Sequence, residues 1–153
     1  MLKKIYVPLL FLFFTSCGYE SMHSLKNRIN YNFSINEIKF TGDRNANIKI
    51  KNSLNSYFKK QEKSFNLIIK SDNKKLVLVK DSKGNPTSFK NTLKVKVEAF
   101  DQNKKLTTLN FEETLEYKNN TNKIELRRYE KEIKNNLTET IINNLVFELS
   151  TIR

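Results

Sequence analysis

The sequence contains few of the residues from which enzymes build active sites and metal centres. Its 153 residues include one cysteine, one histidine, three glycines, two prolines and no tryptophan. A single cysteine excludes an internal disulfide, and His23 has no second histidine with which to complete a metal site. Three separated glycines exclude a glycine-rich phosphate loop. We therefore expect a protein that is not an enzyme and that binds neither a metal nor a cofactor.

Paired carboxylates do not alter this expectation. Glu112 and Glu113 are neighbours on a predicted strand, where consecutive side chains face opposite sides. Glu130 and Glu132 are two residues apart on a predicted helix, where their side chains diverge. Neither spacing suits general acid and base catalysis.

Positive charge is abundant. The 28 lysines and arginines outnumber the 16 acidic residues, which gives a formal net charge of +12. Such a balance favours anionic partners, but most of the cations are lysines, and a solvated surface is the alternative interpretation. Arg127 and Arg128 stand out, because adjacent planar guanidinium groups suit phosphate oxygens better than ammonium groups do. Lysine alternating with apolar residues at 93–100 indicates a strand with one solvated face rather than a nucleic-acid platform.

The first seventeen residues have the pattern of an export signal. Two lysines precede ten mostly apolar residues at 5–14, a stretch too short to span a membrane. The segment Phe14-Thr15-Ser16-Cys17-Gly18 then resembles the lipobox of bacterial lipoproteins, with Phe14 where that family prefers leucine. The resemblance implies that residues 1–16 are removed and that Cys17 receives fatty acyl chains, palmitate among them. The alternative is an ordinary secretory signal that is cut after Ser16.

The residue that follows the cysteine indicates the membrane. Position 18 is Gly rather than Asp, and in bacterial lipoproteins this implies release to the outer membrane. Residues 17–32 are polar and without a clear period, so we expect a lipidated, flexible tether. Residues 33–153 are then expected to form one folded domain.

Periodicity within residues 33–153 predicts strands and two amphipathic helices. The first half of this region predicts a strand at 33–40, a helix through Ile50, Leu54, Tyr57 and Phe58, and strands at 65–70 and 76–79 with a turn or bulge at 71–73. The second half predicts a turn at 82–86, strands at 93–99 and 109–117 joined by a reversal at 101–105, and a long helix from Tyr129 to Ile152. This order predicts an α+β two-layer sandwich, with an antiparallel-rich sheet of about four strands and two helices packed on one face.

The whole pattern resembles the LPS-assembly lipoprotein LptE family. The shared features are a lipobox that runs into Cys17-Gly18-Tyr19, a polar tether, the order of strands and helices, the SKGNP turn and the closing helix after KNN at 118–120. The resemblance implies a lipoprotein, facing the periplasm or inside the barrel, that plugs the outer-membrane β-barrel LptD. Together they insert lipopolysaccharide into the outer leaflet. It further implies lipopolysaccharide contacts, for which Lys90, Arg127 and Arg128 are the candidates.

Two other functions fit the sequence. The chain could be an accessory or scaffold lipoprotein of another outer-membrane assembly or secretion machine, with no glycolipid ligand. It could also be a lipid-anchored binding module for peptidoglycan or another anionic polymer, which predicts a groove lined with aromatic residues. Co-purification of a barrel partner would separate both from the first hypothesis.

Overall fold

The computed structural model describes residues 33–58 and 63–152, which form a sheet layer and a helix layer. The elements follow in the order β1 (Ser34–Gly42), α1 (Arg44–Leu54), a 3-10 turn (Asn55–Tyr57), β2 (Ser64–Lys80), β3 (Pro86–Asp101), β4 (Lys104–Lys118) and α2 (Lys123–Thr151). The four strands form one sheet in the order of the chain, and both helices contact it. The predicted α+β two-layer sandwich is confirmed.

The sheet is mixed. β1 pairs parallel to β2, from Ser34 opposite Ser64 to Gly42 opposite Ser71, whereas β2, β3 and β4 form an antiparallel meander. A parallel pair needs a connection that returns to the starting end of the sheet, and α1 lies within that connection. The predicted turn at 82–86 and reversal at 101–105 both join antiparallel neighbours, as expected.

The prediction of two short strands at 65–70 and 76–79 is wrong. β2 runs without interruption for 17 residues, with Asp72 opposite Lys94 and Asn73 opposite Leu93. Ser71 is buried, and its hydroxyl lies 2.8 Å from Oδ1 of Asn47 on α1. A strand can continue through a buried polar residue when that residue has a hydrogen-bond partner. The pattern of neighbouring residues in the sequence does not reveal such a distant partner.

Gly42 allows β1 to end close against β2. Its φ of +96° lies in the region that favours glycine, and a Cβ atom built on it would be 1.8 Å from the carbonyl oxygen of Ser71. The next residue, Asp43, donates its backbone N–H to that same oxygen at 3.1 Å. Its carboxylate then accepts from the N–H of Ala46 at 2.9 Å, which caps α1. The chain thus passes from strand to helix within two residues.

The inner face of the sheet forms the core with the helices. Alternate residues of β3, among them Leu93, Val95 and Val97, are buried, while Lys94 and Lys96 between them are exposed. This confirms the predicted strand with one solvated face. The outer face carries ion pairs between exposed side chains, such as Lys94 with Glu112 at 3.0 Å. Such pairs add little stability individually.

The closing helix α2 extends for 29 residues and packs along one stripe. Asn122 caps it by accepting from the N–H groups of Ile124 and Glu125. The predicted four-residue spacing is confirmed from Ile133 onwards, but Tyr129 is half exposed, and Leu126 occupies the buried position of the first turns. Tyr129 lies instead at the edge of the Tyr117 ring, with ring centres 5.9 Å apart. Among the described residues, neither helix combines the length and hydropathy of a membrane span.

Candidate functional site

β2 and β3 continue past the end of β1 as a hairpin. We call residues 74–90 the hairpin arm: the last part of β2, the turn at 81–85 and the first part of β3. Asp81 organises the turn, because its Oδ1 accepts from the backbone N–H groups of Lys83 and Asn85, each at 2.8 Å. The side-chain amide of Asn85 also donates to Asp81, and this bond is the main cause of the lowered pKa of the Asp81 carboxyl. Gly84, at φ +83°, closes the turn.

Four consecutive apolar residues are exposed on the hairpin arm. The relative solvent exposure of Leu76, Val77, Leu78 and Val79 lies between 43% and 56%. Because successive strand residues point to opposite sides, both faces of the arm carry exposed apolar groups. Lysines lie next to them at positions 74, 75 and 80. A projecting apolar strand of this kind indicates a contact surface rather than a core strand.

A cluster of side chains fastens the base of the hairpin arm to α2. Glu130 accepts a hydrogen bond from the Tyr117 hydroxyl at 3.0 Å and an ionic one from Lys75 at 2.5 Å. The Lys75 ammonium also lies 3.9 Å from the centre of the Phe89 ring, which packs on Tyr117. Burial, and then the bond to Glu130, raises the pKa of the Tyr117 hydroxyl. The cluster therefore sets the direction of the hairpin arm relative to the helix.

Replacing Tyr117 with phenylalanine should destabilise the protein by about 1 kcal/mol, because Glu130 loses a hydrogen-bond donor. The pKa of Tyr117 is raised above its ordinary value of 10.0, so its contribution is complete below pH 10 and is lost as the pH rises further. Urea denaturation at pH 7 and pH 11 should show a smaller alkaline loss in Y117F. The exposed pair Lys94 and Glu112 supplies the control: E112Q should change stability by less than about 0.5 kcal/mol. Equal losses of stability in Y117F and E112Q would show that the hydrogen bond from Tyr117 to Glu130 contributes no more than an exposed ion pair does.

The structure places Lys90 apart from Arg127 and Arg128. Lys90 lies on the outer face of the sheet, 3.8 Å from Glu116. Arg127 and Arg128 are exposed on the first turns of α2, and α2 covers the inner face through Tyr117 and Glu130. The sheet therefore separates the two sets, and the three residues do not form one compact site. Whether each binds lipopolysaccharide stays a prediction.

The sequence interpretation missed the cluster of Lys75, Tyr117 and Glu130. Local spacing relates Glu130 only to Glu132, yet its hydrogen-bond partners lie 13 and 55 residues away along the chain. No local pattern signals contacts of that separation. The exposure of residues 76–79 was missed for a related reason, although four consecutive apolar residues with lysines on both sides do lack the alternation of a half-buried strand.

Several predictions lie outside the described residues. The lipidation site Cys17, the residue His23 and the tether at 17–32 all precede residue 33. Among residues 33–58 and 63–152, no three His, Cys, Asp or Glu side chains are grouped closely enough to hold a metal ion. The expectation that the protein is not an enzyme stays a prediction.

Comparison with solved structures places this domain among bacterial lipoproteins in fold. It is similar to rare lipoprotein B from Shewanella oneidensis with a TM-score of 0.59 and 10% identity, over 76% of this chain and 95% of that one. A minor lipoprotein from Acinetobacter baumannii has a TM-score of 0.59 and 11% identity, over 78% and 91% of the two chains. Lipoprotein B from Nitrosomonas europaea has a TM-score of 0.55 and 15% identity, over 78% and 86%.

These likenesses show a shared fold. No family model and no curated protein matches the sequence. The fold implied by the sequence resemblance is therefore confirmed, and the support comes from three-dimensional similarity and not from sequence similarity. The similarity extends over 86–95% of the length of each of these three proteins.

Proposed function

We propose that this chain is an outer-membrane lipoprotein that assembles with an LptD-like β-barrel, plugs it and helps insert lipopolysaccharide into the outer leaflet. The observation that carries the proposal is the fold shared with rare lipoprotein B, which belongs to the LptE family. The lipobox at Cys17 supports it independently, because it supplies the membrane anchor that such a protein needs. In this function the chain is a structural and binding partner, and not an enzyme.

The basic side chains supply a second line of support. Arg127 and Arg128 are exposed near the start of α2, and none of the ion pairs within the described residues involves them. Adjacent guanidinium groups can each form two parallel hydrogen bonds to a phosphate, and lipopolysaccharide carries phosphates and acidic sugars. Lys90, on the opposite side of the sheet, would contact a different part of an extended glycolipid. The arrangement suits a large anionic ligand better than a small one.

Purification from detergent-solubilised outer membranes tests the partner. A tagged full-length chain should bring down a β-barrel protein in stoichiometric amount, identified by mass spectrometry. If the chain instead recovers the components of another envelope machine, it is a scaffold lipoprotein of that machine. Recovery of peptidoglycan fragments without a barrel would favour the binding module. Either result would overturn the proposed function.

Removing the three candidate cations should weaken lipopolysaccharide binding. We expect the variant K90Q/R127Q/R128Q to bind purified lipopolysaccharide at least tenfold more weakly, which corresponds to about 1.4 kcal/mol. The matched control is the variant K94Q/K96Q/K105Q, which removes three other lysines that lie beside acidic partners on the outer face, as Lys90 lies beside Glu116. It changes the net charge equally, so it should bind normally if the position of the charges matters. Equal binding by both variants and the parent would refute these contacts.

A further inference from the structure

One side of β2 has no strand beside it along the hairpin arm. The pairing of β1 with β2 ends at Gly42 and Ser71, where the chain turns into α1. Within the described part of the chain, no strand pairs with that side of β2 beyond Ser71. β3 pairs with the other side as far as Lys80. The hairpin arm therefore presents an open strand edge.

The backbone groups that point out of this edge can be identified from Ser71. Its carbonyl oxygen accepts from Asp43 on the β1 side, and in a strand the N–H and C=O groups of alternate residues point to the same side. The register with β3 is unbroken from Ser71 to Val77. The N–H and C=O groups of Asn73, Lys75 and Val77 consequently point to the open edge, in the pattern that an added strand requires.

The side chains at the edge suit a protein strand better than a membrane. Leu76 and Val77 expose apolar groups on opposite faces of the arm, so an added strand could bury apolar side chains on both faces as well as complete the backbone bonds. Insertion into hydrocarbon would leave the open N–H and C=O groups unsatisfied, and open sheet edges are not tolerated there.

The lysines argue against a second copy of the chain as the occupant. In an antiparallel self-pairing centred on Val77, Lys74 of each copy would face Lys80 of the other. Like charges directly opposite each other destabilise a strand pair, and edge lysines are a common protection against self-association. The same lysines would attract a strand with acidic ends.

We propose that residues 73–79 of β2 bind a partner protein by strand addition, and that the incoming segment is extended, apolar in its middle and acidic at its ends. Main-chain hydrogen bonds to Asn73, Lys75 and Val77 supply the register. The flanking lysines select the acidic ends. The inference does not depend on the partner being a β-barrel, so it can hold or fail separately from the proposed function.

A synthetic peptide provides the probe. Its nine residues alternate valine and threonine between acidic ends, and it is added to the full-length protein in a neutral detergent while backbone amides are followed by NMR. We expect shifts along residues 73–79 and slower hydrogen exchange at the amides of Asn73, Lys75 and Val77. The same peptide with N-methyl groups on alternate amides should bind at least tenfold more weakly, because methylation removes main-chain donors. Equal binding by the two peptides would overturn the proposal.

The variant V77P tests the protein side of the contact. Proline removes the outward N–H, and proline is tolerated where an edge N–H faces solvent. We expect the dissociation constant for the peptide to rise at least tenfold, whereas V77T, which keeps the N–H, should stay within threefold of the parent. Unchanged thermal unfolding and unchanged amide exchange in β4 would show that V77P still folds. If V77P unfolds, the N-methylated peptide still decides the question.

Other occupants give distinguishable results. Protection of the Asn73, Lys75 and Val77 amides that depends on protein concentration without peptide, together with a dimer in sedimentation, would assign the edge to a second copy. Protection on adding anionic phospholipid vesicles, with no response to the peptide, would assign the arm to a membrane. Either outcome overturns strand addition by a partner protein.

Discussion

Replacing Gly42 with alanine should lower the free energy of unfolding by about 2–4 kcal/mol. Two effects add at this position. An alanine at φ +96° is strained, and its Cβ would lie 1.8 Å from the Ser71 carbonyl oxygen. That oxygen also accepts the N–H of Asp43, so relieving the overlap would move the junction between β1 and α1. Urea denaturation followed by circular dichroism measures the loss.

Gly84 provides the matched control for this substitution. It has a similar φ of +83°, but a Cβ atom there would meet nothing within 4 Å. Alanine at position 84 therefore incurs the backbone strain alone, of about 1 kcal/mol. We expect G42A to be at least 1 kcal/mol less stable than G84A. Equal losses of stability in G42A and G84A would show that the overlap between the added Cβ atom and the Ser71 carbonyl oxygen costs no free energy.

Substituting Cys17 with serine should abolish lipid attachment completely. The thiol is the only one in the chain, so no second site can replace it. Cells fed labelled palmitate should incorporate it into the parent protein, whose mass should correspond to a lipidated chain that starts at residue 17. The C17S variant should incorporate none and should retain residues 1–16, since the lipoprotein pathway cuts only after the cysteine is modified. S16A, which keeps a small residue before the cysteine, is the control and should be labelled normally.

The same measurement separates the two interpretations of the N-terminus. An ordinary secretory signal would be cut after Ser16 in both the parent and C17S, and neither would incorporate label. That outcome would remove the lipid anchor from the proposed function. Membrane association would then have to come from the basic surface, and high salt would release the protein.

The parts of the fold that were predicted depend on local pattern. Leu93, Val95 and Val97 alternate with charged residues, so the period of two identifies β3 and its solvated face without knowledge of the rest of the chain. The buried stripe of α2 from Ile133 to Leu149 follows from four-residue spacing in the same way. The two-layer architecture then follows, because amphipathic helices and a sheet with one apolar face bury their apolar surfaces against each other.

The errors arose where distant residues decide the structure. Ser71 interrupts an apolar run, and its role in an unbroken β2 depends on Asn47, which lies 24 residues earlier. Tyr129 fits the helical period, but it lies where the sheet ends and its ring meets Tyr117 rather than the core. In each case tertiary contacts override the structure that the local pattern predicts.

The candidate site was the least predictable part for the same reason. A run of four apolar residues looks the same in the sequence whether it is buried or exposed, and only the three-dimensional structure shows that residues 76–79 are exposed. Lys90, Arg127 and Arg128 are the contacts that the family resemblance implies, and only the three-dimensional structure shows that the sheet lies between Lys90 and the two arginines. The sequence could indicate which residue types matter, but not which ones share a surface.

Among the strand pairs of the described sheet, the parallel pair of β1 and β2 has the longest connection to close. Short turns join β2, β3 and β4, so closing these two hairpins costs little chain entropy and is fast. Ser34 must wait for Ser64, after a connection that includes α1. Until then, one whole side of β2 is open to unwanted pairing. A chaperone that holds extended chains would therefore matter most to β1 and β2.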